Sequence, residues 1–479
     1  MLMTRRYHCA VSATLLLAGA AAFVGNAPPA QSDSKPVVIS GDHDPIQGLN
    51  FRDESGTFST FSTTGHVDLK NAFFKSFGTN GRTCQTCHQP KFGWTITPAS
   101  VKEVFEDTRG QDPLFRSNDG TNSPETDQSS IQARRRASSM LLSKGLIRVG
   151  LPIPPTAEFA LADVDDPYHH ASSADLSLFR RPLPTANLPL LSTVMWDGRE
   201  NKAGRSMNDN LASQALDAIN GHAQRAVGST LSPEVLQSIV TFEAQLFMAQ
   251  TYDTHAGWLD QNGGLGGPQS LSQQNFYLGI NDPIGLNPTG AAFDPSAFTL
   301  YSAWASSDPN ADREGEEDRE SDGRASVVRG EVLFNTKPIA IVGVAGLNDK
   351  LQSPLIHGTC TTCHDTPNVG NHSVSMPLNI GLTDASRRTP DLPLYTLVNK
   401  TTGETVETTD PGRALVTGKW ADIGKFKGPI LRGLATRAPY FHNGSAASLG
   451  DAVTFYNTRF NIGLSKRESK DLVAFLRTL

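Results

Sequence analysis

Every cysteine after Cys9 falls in one of two five-residue motifs, Cys84-Gln-Thr-Cys87-His88 and Cys360-Thr-Thr-Cys363-His364. C-x-x-C-H is the attachment pattern of c-type haem. Its spacing lets two thiols reach the two vinyl groups of one porphyrin, and the next residue offers imidazole as the proximal iron ligand. Other uses of such cysteines fit less well. A thioredoxin-like dithiol needs no histidine after both pairs, and a four-cysteine zinc site would join pairs separated by more than half the chain. A disulfide within C-x-x-C is strained. Both motifs therefore point to haem, with Cys84, Cys87 and His88 on one group and Cys360, Cys363 and His364 on another.

The remaining cysteine belongs to a different segment. Arg5 and Arg6 precede an uncharged run from Ala10 to Val24, followed by small residues at Gly25-Asn26-Ala27. That is the order of a secretory signal peptide. The run is shorter than the ~20 residues of a membrane span, although an uncleaved anchor is the alternative. Residues 1–30 are thus expected to be removed, leaving a periplasmic protein with no membrane span. The net charge of -6 over 479 residues argues against nucleic-acid binding, which needs basic surface to meet phosphates.

The distance between the motifs predicts one haem domain for each, at 31–325 and 326–479. Val67 to Gly78 reads as a short helix before the first motif, and Ser326 to Phe334 begins similarly before the second. Residues 306–324 carry eight acids and three arginines and read as a solvated linker. Residues 260–275 read as loop. Near the C-terminus, Ser448-x-x-Asp451 is a capping box, followed by Leu449, Ala452, Val453 and Tyr456 on one helical face. Ser465-x-x-Glu468 caps a second helix with Leu472, Phe475, Leu476 and Leu479 on one side. A terminal amphipathic helix over a haem suits a small cytochrome c domain. The expected fold class is mostly α: two cytochrome c-like haem domains with long loops and insertions.

Two further segments carry a family resemblance. Pro429 to Gly444, containing Pro439-Tyr-Phe-His442, and Met195-Trp196-Asp197-Gly198-Arg199 resemble motifs of the bacterial dihaem cytochrome c peroxidases and the MauG superfamily. The resemblance is specific near 84–88, 187–224 and 360–479 and weak across 100–180 and 245–325. In that superfamily the second axial ligand of the C-terminal haem stands seventeen residues after the proline of the P-Y-F-H segment. Here that residue is Tyr456, as in the His/Tyr-ligated MauG and BthA-type branch, and helical periodicity independently turns it inward. Met376 is the competing ligand. A tyrosine oxygen is hard and favours the oxidised iron, whereas methionine favours the reduced one.

The same resemblance implies a peroxide site at the N-terminal haem. Leu211-Ala-Ser-Gln214-Ala matches the family's L-x-x-Q-A, but ten positions on, where the family often has Glu, this chain has Gln224. Gln cannot act as a base; His222 can, since imidazole titrates near neutrality. An exposed or hydrogen-bonded structural histidine is the alternative for His222. Trp196 corresponds to the family's tryptophan between the haems and is implied as an electron relay, against plain core packing. Arg199 is expected to hold local structure or a haem propionate. The family's calcium site would draw on the carbonyls of Arg437 and Pro439, while its asparagine ligand falls near Arg181.

Together these readings predict a peroxidase using hydrogen peroxide, with two haem c groups, and a C-terminal haem that stores or relays oxidising equivalents. The electron donor is not legible. A MauG-like oxidase acting on a partner protein, an oxygenase cleaving a small organic substrate, and a plain electron-transfer cytochrome are the alternatives.

Overall fold

The computed structural model describes residues 48–306 and 316–479. The expected signal segment at 1–30 lies outside them. The longest stretch of β structure is built from residues that favour a pleated, packed surface. Gly56–Ser62, rich in Thr and Phe, pairs antiparallel with Gly48–Arg52 on one side and Leu246–Asp253 on the other, and Gly257–Trp258 completes a four-stranded sheet. A three-stranded sheet runs Thr405–Thr408, Leu394–Asn399, Phe159–Asp165 and joins distant parts of the chain. Two hairpin-like pairs, Ile147–Leu151 with Leu176–Arg180 and Ile339–Ile341 with Ile356–Gly358, complete the sheets.

These sheets overturn the mostly-α expectation. The structure is 31% helical and 16% strand, and it does not resolve into two plain cytochrome c modules. The strands are short and separated by Gly/Pro-rich turns, so their periodicity is weak in the sequence, and their partners are up to hundreds of residues away. Residues 48–306 and 316–479 fall within one compact unit. Residue 325 lies inside the Glu316–Thr336 helix, which also takes up the described end of the acidic stretch.

The helices form largely where caps mark them. Ser448 and Asp451 form a reciprocal capping box that starts Leu449–Arg459, and Ser465 and Glu468 do the same for Lys466–Arg477. Ser206 and Asp209 cap Met207–Gly221. The helix expected over Val67 to Gly78 is only the single turn Ala72–Phe74. There Phe73 and Phe74 turn into an aromatic cluster with Trp94 and Phe242 instead of lining one helical face. The loop read at 260–275 contains the short helix Gly267–Ser272.

Lys466–Arg477 packs against Glu316–Thr336 at Gly330, where a Cβ would lie 2.0 Å from the Asp471 carbonyl oxygen. Arg329 donates to both oxygens of Asp471 at 2.9 Å, and Lys337 pairs with Glu468 at 2.6 Å. Phe298, Tyr301, Phe334 and Phe475 form the core beneath this pair. Phe334 lies 5.9 Å, ring centre to ring centre, from His364, so that core backs the second motif.

Candidate active site

Each C-x-x-C-H motif is a single helical turn, closed by threonines. Thr83 caps Cys84–Thr86 and Thr359 caps Cys360–Thr362. The turn brings the two thiols to one side and the histidine after them into a cavity. The first cavity, about 1590 Å³ with its mouth included, is lined by Cys84, Cys87, His88, Trp196, Arg199, Gln214, His222 and Glu243, among others. The second, about 1780 Å³, is lined by Cys360, Cys363, His364, Tyr456, Trp196 and His442, with the helix residues Leu472 and Leu476.

The thiols and imidazoles fit a covalent haem. None of the four cysteines is in a disulfide. Burial pushes all four thiols up, the opposite of what a zinc thiolate or redox nucleophile requires. The two pairs line different cavities, which separates them as zinc ligands. His88 Nδ1 donates to the Trp94 carbonyl at 3.2 Å, and His364 Nδ1 donates to the Gly370 carbonyl at 2.7 Å. A carbonyl only accepts, so the proton sits on Nδ1 and Nε2 keeps its lone pair. Burial lowers both imidazoles to about 4, which keeps them neutral and able to bind iron.

The cavity walls also ask for an anion. Arg181, Lys427 and Arg437 line both cavities, and Arg432 lines the first. Burial lowers them to about 9, 7, 10 and 10 respectively. Among the described residues none of the four forms a salt bridge with a carboxylate. The two propionates of a haem would supply the missing charge.

The cavities share a wall in which Trp196 is central. Its indole Nε1 donates to the Arg181 carbonyl at 2.8 Å. The Trp196-Asp-Gly-Arg199 turn is held from below. Asp197 is fully buried and accepts from Arg180 at 2.5 Å and Arg199 at 3.1 Å, while Arg180 also pairs with Asp410. Burial pushes the Asp197 carboxyl up, but Arg180 and Arg199 outweigh it and hold it near 2. Gly198 has φ 68°, and a Cβ there would lie 2.9 Å from Arg413 Nη1. On the second cavity's side, His442 stands edge-on to Trp196 at 6.1 Å and stacks on Phe426 at 4.0 Å. Both its ring nitrogens are buried without a partner.

Tyr456 projects from Leu449–Arg459 into the second cavity, with its ring 6.3 Å from that of His364 and nearly perpendicular to it. Its hydroxyl makes no hydrogen bond among the described residues, and burial pushes its pKa up, followed in effect by Cys363 and Cys360. Met376 lines neither cavity.

In the first cavity, Gln214 and His222 come from the Met207–Gly221 helix and its C-terminal end. His222 Nδ1 is hydrogen-bonded to the buried carboxylate of Asp119, which is also paired with Arg82. Burial pushes Asp119 up, yet Arg82 and His222 together hold it below its ordinary value. Arg82 is fixed in turn by the carbonyls of Pro113 at 2.8 Å and Leu114 at 3.0 Å. A carboxylate only accepts, so Nδ1 carries the proton and Nε2 is left as the basic nitrogen. Gln224 is placed elsewhere. It is exposed, has φ 53°, and its amide oxygen accepts from Asn80 at 3.2 Å.

Sequence reading missed Asp119, Arg82 and Glu243. Arg82 stands two residues before Cys84, but nothing marks its partner 37 residues on. Asn118-Asp119-Gly120 reads as an ordinary turn. Among the described residues Glu243 has no salt-bridge partner, and burial pushes its carboxyl to about 8.

Calcium does not fit. Arg181 donates to the carbonyls of Ile96 at 2.8 Å, Lys144 at 2.9 Å and Arg437 at 3.1 Å. A buried guanidinium therefore occupies the Arg437 carbonyl that the resemblance offered to the ion. Calcium needs six to eight oxygen ligands and no adjacent cation.

No family model matches the chain. A cytochrome-c peroxidase of Denitromonas iodatirespirans is 34% identical over 133 residues, covering 26% of this chain and 36% of its own. A cytochrome c551 peroxidase of Nitrosomonas europaea is 46% identical over 76 residues, 15% of this chain and 23% of its own. The chain thus spans about a third or less of the curated relatives it matches. A solved MauG-like protein associated with microbial copper homeostasis aligns over 78% of this chain and 88% of its own at 16% identity, with TM-score 0.33. The sequence matches bear out the resemblance to bacterial cytochrome c peroxidases.

Proposed function

From that kinship we propose that this chain is a dihaem c-type peroxidase that reduces hydrogen peroxide in the first cavity. The observation that carries the reading is the His222–Asp119 pair in the wall of a cavity that already holds two thiols and a neutral imidazole. When bound, haem c supplies the redox-active iron through which two electrons reach peroxide. The protein's part is proton handling and placement. His222 Nε2 takes the first proton of H₂O₂ and returns it to the departing oxygen, which leaves as water. Asp119 keeps the required tautomer and Arg82 keeps Asp119 ionised. Gln214 offers a neutral polar contact, and Arg199, already tied to Asp197, offers a second donor. His88 and His364 would hold the haem irons through Nε2, with Tyr456 as a further donor in the second cavity. Trp196, in the common wall, would offer an aromatic bridge that divides one long electron transfer between the two cavities into shorter ones.

Met195 favours a second reading. It lines the first cavity and is held at φ 64°. A Met195 thioether on the first iron would close the peroxide site and make the protein an electron-transfer cytochrome until the ligand leaves.

The test is peroxide consumption by the haem-loaded full chain with a chemical reductant. Under the peroxidase reading, His222→Ala slows it at least about a hundredfold and Met195→Ala leaves it unchanged. A Met195→Ala variant that gains activity manyfold would support the second reading. Tyr456→Phe changes the absorption of the second haem only; an unchanged spectrum removes Tyr456 as a ligand.

A further inference from the structure

A second polar cluster lies behind the second motif and lines neither cavity. Asp365 directly follows His364, and His372 closes the same loop. Asp282 reaches them from the 279–286 turn, which is tied to this loop by the Gly279 N–H donating to the Ser373 carbonyl at 3.0 Å and by Asn281 donating to the Asp365 carbonyl at 3.0 Å. Asp282, Asp365 and His372 are 2%, 0% and 1% exposed. One donor atom from each lies within 4.8 Å of the other two.

Their hydrogen bonds leave specific atoms over. Asp365 accepts from His372 Nδ1 at 2.9 Å and from the Ser373 N–H at 2.6 Å. The Nδ1 proton is thereby fixed, and His372 Nε2 is left with a lone pair and no partner. Asp282 accepts from the Leu286 N–H through one oxygen at 2.7 Å, and its other oxygen is likewise buried and unpartnered. The same loop leaves Thr366 Oγ1, Asn371 Oδ1 and Ser373 Oγ buried without partners. Among the described residues, no Lys or Arg forms a salt bridge with either carboxylate. Buried oxygen and nitrogen lone pairs that no donor meets are costly unless a cation completes them.

We propose that Asp282, Asp365 and His372 form a structural site for one divalent transition-metal ion that pins the loop carrying His364. His372 Nε2 and the free oxygen of Asp282 are the direct ligands. Asp365 orients the histidine through Nδ1, in the manner of carboxylate–histidine pairs at metal centres. A donor set of imidazole nitrogen with carboxylate oxygen selects ions of the zinc or manganese kind over calcium or magnesium, which take oxygen alone. The site is independent of the haem irons and of the peroxide reading.

Zn²⁺ and Mn²⁺ are the probes. The haem-loaded full chain is incubated with each, desalted, and its metal content measured against iron. The expected result is one retained zinc or manganese per chain in the wild type and in His255→Ala, which removes an exposed histidine as a control. Asp282→Asn and His372→Gln should lose it while keeping the Soret band. X-ray absorption at the retained metal should show nitrogen and oxygen neighbours with one imidazole. Retention of neither ion by the wild type overturns the proposal whatever the variants do. So does a retained ion whose absorption spectrum shows no imidazole, or undiminished retention in a folded Asp282→Asn.

Discussion

Asp119→Asn is the sharpest single-atom test of the proposed peroxide site. Arg82 donates to one oxygen of Asp119, so an asparagine there must turn its carbonyl toward Arg82 and its NH₂ toward His222. The NH₂ can only donate, which forces His222 Nδ1 to accept and moves the imidazole proton to Nε2. The nitrogen facing the cavity then holds a proton and cannot take one from peroxide. The shape of the side chain is unchanged, but the base is lost. A positioned acid–base group contributes about 10² to 10⁴ in rate, or about 3 to 5 kcal/mol of barrier. The expected second-order rate for peroxide therefore drops by at least about a hundredfold, close to that of His222→Ala. Stopped-flow absorption measures it, with the Soret band and circular dichroism showing that both haems and the fold persist. A variant within a few-fold of wild type would refute the tautomer argument, and with it the assignment of His222 as the base.

Three further outcomes follow from the buried charges. The unfolded Glu243 carboxyl loses its proton near 4.3, whereas burial holds the folded one to about 8, so stability falls as pH rises through that window. Glu243→Gln removes the slope, and its gain in unfolding free energy over wild type, read by denaturant titration, should grow from about pH 5 to pH 8, reaching up to about 4 kcal/mol near neutrality. Asp197→Ala leaves Arg199 without its partner and Arg180 with Asp410 alone, and should cost about 3 kcal/mol in denaturant unfolding. Because Arg181 occupies the carbonyls at the wall between the cavities, the calcium chelator EGTA and added Ca²⁺ should both leave peroxide turnover and thermal midpoint unchanged; a calcium-dependent rate would contradict that placement.

What could be read from the sequence depended on how local the determining interactions are. The thiol pairs and their histidines lie within five residues, so the motif itself states the chemistry. Tyr456 was legible because Ser448 and Asp451 fix where its helix starts, and four residues at helical spacing then fix its face. The sheets were not legible. Phe159–Asp165 is a strand because Leu394–Asn399 lies beside it, a pairing that no local pattern encodes. The Asp119–His222 pair spans 103 residues, and the sequence marks only the histidine. Arg181 looked like a poor match for an expected ligand, yet its guanidinium holds three carbonyls from three separate segments. In each of these cases a side chain's role is set by atoms that folding brings from far along the chain.

The central claim is that the first cavity is open to peroxide while the second is closed by Tyr456. The most direct measurement is a stopped-flow absorption trace of the ferric, haem-loaded protein mixed with one equivalent of H₂O₂. A rapid Soret change in the wild type, slowed at least about a hundredfold in His222→Ala, is the result this account predicts. A ferric protein whose spectrum does not change with peroxide would contradict it, since the first iron would then be closed by a ligand of its own.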